Sequence, residues 1–403
     1  MRKEKSWQMK LTAYMFSQTI SMLGSSIVSL AMIWHVTLQT NSGISIAGIT
    51  ITTFLPQALI MLAGGVIADR FSMKKIIILS DIFIAGATLC LAILYFLGYQ
   101  SILWIYIFNT FRSLGTGIQL PASKSILPLF IPEEELLRAN SYSTTIWSVI
   151  QLISPGLGGL ALTMLPLGEV FLIDVVTALI GVSLLSTISI QETEQKVAEN
   201  SIREMKKGFQ YLSRSKTLKS ILILYTVFQF LVVPASQLTP LLASNNLGEK
   251  VWILSVIEIS FSVGALVSSL VMGYKKIKIS HFKLIGCSAF LFGLMMILVV
   301  ISKQVHLFLV SMFVMGIGSP LYYTPLITII QKETQLEYMG RVFSYVDLLG
   351  TLATPCGMFI FGPLSSINLS SAFIIPGLFL AFLGGSILIK KETILSNKSD
   401  RID

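Results

Sequence analysis

Gly64-Gly65-Val66-Ile67-Ala68-Asp69-Arg70-Phe71-Ser72-Met73-Lys74-Lys75 divides two long apolar runs. One run ends at Ala68 and the next begins at Ile76, with one acid and three bases between them. A hairpin this short cannot hold a domain. Both flanking runs therefore read as membrane spans, and the charged turn lies at the water interface. Its basic excess assigns it to the cytoplasmic face, where Lys and Arg are retained. Gly64 and Gly65 carry no side chain, which lets a neighbouring helix approach closely. Asp69 can face the positive N-terminal end of another helix, and the bases can face headgroups or helix C-termini.

The whole chain repeats this alternation of apolar run and short polar turn. Its 403 residues are 54% hydrophobic and 12% charged, with a mean hydropathy of +0.79. Soluble chains carry about 25% charged residues, so the composition is that of a polytopic membrane protein. Apolar segments of about 20 residues cross a bilayer as helices. Twelve are read, at about 11–37, 44–68, 76–97, 101–126, 141–165, 168–190, 219–244, 251–273, 281–301, 305–330, 341–365 and 370–390. With these spans, all of the 29 Lys and Arg except Lys250, Lys303 and Arg112 fall on the cytoplasmic face. That asymmetry accounts for the net charge of +9 without any nucleic-acid partner. Arg2, Lys3, Lys5 and Lys10 precede the first span, with no small-residue cleavage site. Both termini are expected in the cytoplasm.

Four parts are expected: a six-helix half over 1–190, a cytoplasmic linker over 191–218, a second six-helix half over 219–390 and a tail over 391–403. Within the linker, Met205, Phe209 and Leu212 share one helical face among bases, the pattern of an amphipathic helix on the inner membrane surface. The halves look related. Arg138-Ala139-Asn140-Ser141-Tyr142 opens the fifth span and Arg341-Val342-Phe343-Ser344-Tyr345 the eleventh, half a chain apart. Pro121 and Pro325, and the basic turns at Arg70–Lys75 and Lys275–Lys278, have nearly the same offset. Six spans per half leave both halves with the same orientation, a parallel repeat.

Arg112 is the one base in the middle of a span, the others standing near span ends. A charge there costs roughly 3 kcal/mol unless it is paired or faces water, so it should meet a carboxylate or a polar cavity. Asp81, Asp174, Glu258 and Asp347 are the acids in or near spans. Asp81 reads as a structural residue near the interface. The other three are candidates for proton coupling or substrate binding, because burial disfavours a charged carboxyl and lets it change protonation near neutral pH. The alternative for each is a permanent pair with Arg112 or a helix N-terminus. Ser154-Pro155-Gly156-Leu157-Gly158-Gly159 combines a lost backbone donor with glycines that admit a close neighbour. Cys90, Cys287 and Cys356 lie in apolar runs without metal-ligand spacing and read as small packing residues. His35, His281 and His306 stand near span ends. No metal site, cofactor site, phosphate loop or catalytic triad is visible, which argues against an enzyme.

These stretches resemble the major facilitator superfamily. The turn resembles its Gly-x-x-x-Asp-Arg-x-Gly-Arg-Lys signature at Gly65, Asp69, Arg70 and Lys74, with Ser72 and Met73 departing from it. The resemblance implies a cytoplasmic gate in which Asp69 and Arg70 meet the start of the eleventh span at Arg341. Arg112-Ser113-Leu114-Gly115 resembles the arginine motif of the fourth span, tied to proton coupling in that family. Pro155, Gly158 and Gly159 match the core of the antiporter motif, which marks exporters; Ser154 replaces its leading glycine. Arg112–Thr116, Ile131-Pro132-Glu133-Glu134, Ile173-Asp174-Val175, Ile257–Phe261 and Gly340–Ser344 are similar to the macrolide-efflux (Mef) branch of the drug/proton antiporters.

The resemblance implies an all-α membrane fold of twelve helices in two pseudo-symmetric halves. It also implies a monomer in a bacterial cell membrane that exports small amphipathic compounds, macrolide antibiotics foremost, in exchange for protons. A siderophore or metabolite exporter and a lipid translocase fit the same scaffold. A non-transporting receptor would leave Arg112 without a role. Phe16, Trp147, Phe228, Phe261 and Tyr322 are candidate cavity aromatics, although lipid-facing or core packing is the commoner fate of such residues.

Overall fold

The computed structural model describes residues 2–68, 72–132, 135–190, 210–274, 279–335 and 338–389, and every regular element among them is helical. The long helices are α1 (Arg2–Thr40), α2 (Gly43–Ala68), α3 (Met73–Phe96), α4 (Ile102–Ser125), α5 (Leu136–Met164) and α6 (Leu167–Thr187). After the linker come α7 (Lys216–Leu247), α8 (Val251–Tyr274), α9 (His281–Ile301), α10 (Val305–Glu333), α11 (Met339–Ile367) and α12 (Leu369–Ile389). Eleven of them are long and apolar enough to cross a membrane. The twelfth, α4, is 24 residues long and more polar. Its Asn109, Arg112 and Ser113 are buried, so the polarity is turned into the bundle rather than toward lipid.

Helix ends follow local chemistry. Ser72, Ser101 and Ser215 cap α3, α4 and α7, each Oγ accepting a backbone N–H of the first turn at 3.3 Å. Gly98 and Gly248 end α3 and α7 with φ of +90° and +97°, where a side chain would be strained. Two expected starts were late: α1 begins at Arg2 and α5 at Leu136. Hydropathy marks where a helix enters lipid, whereas backbone hydrogen bonding continues through the polar turns before it. The linker residues Met205 and Phe209 lie outside the described residues. Leu212 is buried in the core of the second half, so this end of the expected surface helix packs on protein rather than lipid.

Helix packing repeats with an offset of six. In the first half α1 packs on α5 and α6, α2 on α4, and α3 on α4 and α6. In the second, α7 packs on α11 and α12, α8 on α10, and α9 on α10 and α12. The halves meet where α2 lies against α11 and α5 against α8, pairs that exchange under the same offset. Two ends of the bundle follow from the turns: the α1–α2 end, where α2 and α8 begin, and the α2–α3 end opposite.

Close approach of the halves depends on small residues. A Cβ on Gly43 would collide with Ser365 and Gly362, and one on Gly362 with Ala47. The backbone N–H of Ile44 donates to Ser366 Oγ at 3.3 Å. In the other seam, a Cβ on Gly159 would collide with Ser255, and Ser262 Oγ donates to the Gln151 carbonyl at 3.5 Å. Thr50 Oγ1 donates to Gln237 Oε1 at 3.2 Å, inside a π-helical turn of α7 at Pro234–Leu238. These contacts run from the α1–α2 end to mid-bundle, so that end is closed.

Replacing Gly362 with Leu should force the α2–α11 seam apart. Overpacking costs about 1–3 kcal/mol, and each 1.4 kcal/mol is about tenfold in population. Spin labels at exposed Tyr99 and Lys303, both at the α1–α2 end, should report a longer distance population in Gly362→Leu. An unchanged distance distribution would mean that this seam does not hold the end closed.

Candidate functional site

Four helices of the first half converge on one buried ion pair. Arg112 of α4 pairs through Nη1 with Asp174 Oδ2 of α6, and both side chains are buried. The same Nη1 donates to Thr88 Oγ1 of α3. Thr88 Oγ1 is 2.7 Å from Asp174 Oδ2, and Ser25 Oγ of α1 donates to Asp174 Oδ1 at 2.7 Å. Both carboxylate oxygens thus have donors and a positive charge stands beside them. This arrangement compensates the large desolvation penalty of a buried carboxylate and guanidinium. Asp174 faces Arg112 rather than open space, which is the paired alternative weighed in the sequence.

Neighbouring side chains hold α4 in register. Asn109 Nδ2 donates to Thr53 Oγ1 at 2.7 Å, to Thr52 Oγ1 at 3.1 Å and to the Ile49 carbonyl at 3.3 Å, all on α2. Ser113 Oγ donates to the Thr53 carbonyl and accepts from the Gln57 N–H at 3.0 Å. A polar seam between α2 and α4 therefore sets the rotation that aims Arg112 at α3 and α6.

Asp81 of α3 forms a second polar node that the sequence reading put at the interface. It is 3% exposed, inside the bundle. Ser21 Oγ and Gln119 Nε2 both donate to its Oδ1 at 2.8 Å. Its Oδ2 is buried without a hydrogen-bond partner. The signal was available in the spacing: Asp81 and Thr88 on α3, and Arg112 and Gln119 on α4, are each two helical turns apart and share a face.

Glu258 is isolated by comparison. It is half-buried on α8, and no hydrogen bond or ion pair reaches it from the described residues. At ~100° per residue it lies roughly 120–180° around the helix from Val263, Val267 and Leu270, which are exposed and form the lipid-facing stripe. Its neighbours Ser255 and Ser262 face α5. Glu258 thus stands on the protein side of α8, beside the seam between halves. Asp347 is half-buried on α11, in the electrostatic neighbourhood of Tyr225 and Tyr323.

The expected gate is described in part. Gly65 lies in the last turns of α2, while Asp69 and Arg70 lie outside the described residues. Lys74 Nζ donates to the carbonyls of Ser186 at 2.9 Å and Ile188 at 2.7 Å. These are at the C-terminal end of α6, where a cation complements the helix dipole. The Arg341 guanidinium lies 5.2 Å from the Tyr338 ring centre, and Tyr338 stacks on Tyr211 at 4.3 Å. Pro155 is within α5; Gly158 faces Ile27 and Leu30 of α1, and Gly159 faces Ser255 of α8. That motif therefore sets α5 against helices of both halves.

One expectation is corrected. Cys90, Cys287 and Cys356 are exposed, not packed inside; an apolar thiol is as comfortable against lipid as in a core. Phe228 and Tyr322 are buried and stacked on each other at 3.6 Å, the core packing that is the commoner fate of such aromatics. Phe16 and Trp147 are exposed.

This fold, with a charged network buried between spans and no strand among the described residues, is that of a membrane transporter. The chain belongs to the Major Facilitator Superfamily, whose family model matches residues 14–358 and 250–399, and it is of the macrolide-efflux type. It is 30% identical to Macrolide efflux protein A of Streptococcus pyogenes over 89% of this chain and 90% of that protein. It is 31% identical to Macrolide efflux protein A of Enterococcus faecalis, over 76% of this chain and 96% of the relative. Staphyloferrin A transporter of Staphylococcus aureus is 23% identical over 83% and 85% of the two chains. Among solved structures, a POT family transporter in complex with 5-aminolevulinic acid superposes with a TM-score of 0.74 at 14% identity, covering 94% of this chain and 95% of that one. The nucleoside transporter NupG gives 0.68 at 14% identity, covering 96% and 100%. These structures share the fold.

Breaking the ion pair from one side should destabilise the protein strongly. Removing one partner of a buried pair costs about 3–5 kcal/mol because the other charge is left unpaired. Arg112→Met should therefore lower the melting temperature of the purified protein more than Arg112→Met combined with Asp174→Asn. If the double variant is the less stable by the sum of the two single losses, the pair is not coupled.

Proposed function

We propose that this transporter exports amphipathic cationic compounds, 14- or 15-membered macrolides foremost, in exchange for protons. The observation that carries this reading is Glu258, an unpaired carboxylate on the protein side of α8 beside the seam between halves. A carboxylate there attracts a drug amine when charged and releases it when protonated. Similarity to Macrolide efflux protein A over most of both chains supports the substrate class. The antiporter-type contacts of Gly158 and Gly159 support export.

Transport proceeds by rocking one six-helix half against the other around a central site. With both termini in the cytoplasm, as the distribution of basic residues supports, the closed α1–α2 end faces outward. The site then loads from the cytoplasm or the inner leaflet. Asp347 serves as a further carboxylate on the second half. Asp69, Arg70, Lys74, Gly65 and Arg341 serve the opposite gate, which forms when the α1–α2 end opens. The protein functions as a monomer, with protons and membrane lipid as partners besides the substrate.

The energetics bound the exchange. One pH unit is worth about 1.4 kcal/mol per proton, and 100 mV about 2.3 kcal/mol per charge. Exchange of one proton for one monocation moves no net charge, so it yields about tenfold depletion per pH unit. Collapse of the voltage alone should leave such export unchanged. Export that fails with the voltage alone would require more than one proton per drug.

The direct test is erythromycin accumulation in bacterial cells lacking other pumps. Cells with the protein should hold less drug, a protonophore should abolish the difference, and Glu258→Gln should abolish it at unchanged membrane abundance. Unchanged accumulation with the wild-type protein would remove the macrolide assignment. Siderophores are then the next substrates to assay, given the similarity to Staphyloferrin A transporter.

A further inference from the structure

The first half contains two polar rungs built by the same helices. Ser25 of α1, Thr88 of α3 and Arg112 of α4 surround Asp174. Ser21, Asp81 and Gln119 form the other rung from α1, α3 and α4. The rungs are offset by one turn on α1 and two turns on α3 and α4, about 6–10 Å along the bundle. Asp81 lies about 12 Å from the start of α3 and Thr88 about 22 Å. The Asp81 rung is thus the one nearer the α2–α3 end.

The two acids are held in opposite ways. Asp174 has donors on both oxygens and a guanidinium beside it. Asp81 has two donors on Oδ1 and nothing on buried Oδ2. No base pairs with it among the described residues. The groups that face it are Ser21 and Tyr14 of α1, Gln119 of α4 and, more distantly, Asp174 of α6. Two donors on Oδ1 and none on Oδ2 leave Oδ2 as the atom on which a proton can sit.

We propose that Asp81 is a proton-holding site in its own right, on the α2–α3 side of the Arg112–Asp174 pair. It rests on the proton-exchange reading above. The step balances: a proton arriving from the α2–α3 end binds the Asp81 carboxylate at Oδ2 and makes it neutral, while Asp174 stays paired with Arg112. Asp81 then releases the proton to water at the α2–α3 end while Ser21 and Gln119 hold the carboxylate left behind.

The test is infrared difference spectroscopy of the purified full-length protein between about pH 5 and about pH 9, where ordinary carboxylates stay ionised. The wild-type protein should show a titrating protonated-carboxyl band. Asp81→Asn should lose one component of it, Asp81→Glu should retain a shifted one, and Glu258→Gln should leave the Asp81 component in place. An unchanged band in Asp81→Asn overturns the proposal. Asn mimics the neutral acid, so Asp81→Asn should keep the wild-type melting temperature at neutral pH; a fall of many degrees would show a structural anion and equally overturn it. Neither measurement needs a drug, so failure of erythromycin export and failure of this proposal are separate results.

Discussion

A charge buried in a membrane bundle must be paired, and the first half of this protein is arranged around that constraint. Arg112 and Asp174 come from α4 and α6, and Thr88 and Ser25 bring α3 and α1 to the same point. Four of six helices are therefore fixed in rotation and depth by one pair. Hydrophobic attraction cannot do this, because lipid is as apolar as the helix surface and offers no penalty for separation. Polar pairing and close packing supply the specificity instead.

The second constraint is the contact between halves. Gly43, Gly362 and Gly159 stand where a Cβ would collide with the opposite helix. Seams of this kind hold through many small van der Waals contacts and a few hydrogen bonds, each weak. No ion pair crosses them among the described residues, and the buried pair of Arg112 and Asp174 sits within one half. This division suits the proposed rocking of one half against the other, because a moving interface has to be cheap to break at one end and to remake at the other.

Acids in the bundle differ by environment rather than by residue type. Asp174 is fully bonded, Asp81 is bonded on one oxygen, and Glu258 has no partner among the described residues. Glu258 stands beside the seam between halves, while Asp81 and Asp174 lie inside one half.

The class of this protein is legible in the chain alone. Apolar run length marks the spans, the lopsided distribution of Lys and Arg sets the expected orientation, and the matched offsets of Arg138 and Arg341 show the repeat. Each signal is local or additive along the chain, so it survives without a structure. The fourth span also declares its inward face, since Arg112 in lipid is too costly to leave unpaired. Helix assembly settles the rest: which acid Arg112 meets, that Asp81 is interior, and that Phe228 and Tyr322 are core. Those outcomes depend on helix rotation and on which helices are neighbours. Rotation is fixed by contacts such as Gly159 on Ser255 and Asn109 on Thr53, between residues far apart in sequence. A carboxylate's pairing is a property of that assembly and is not written at its own position in the chain.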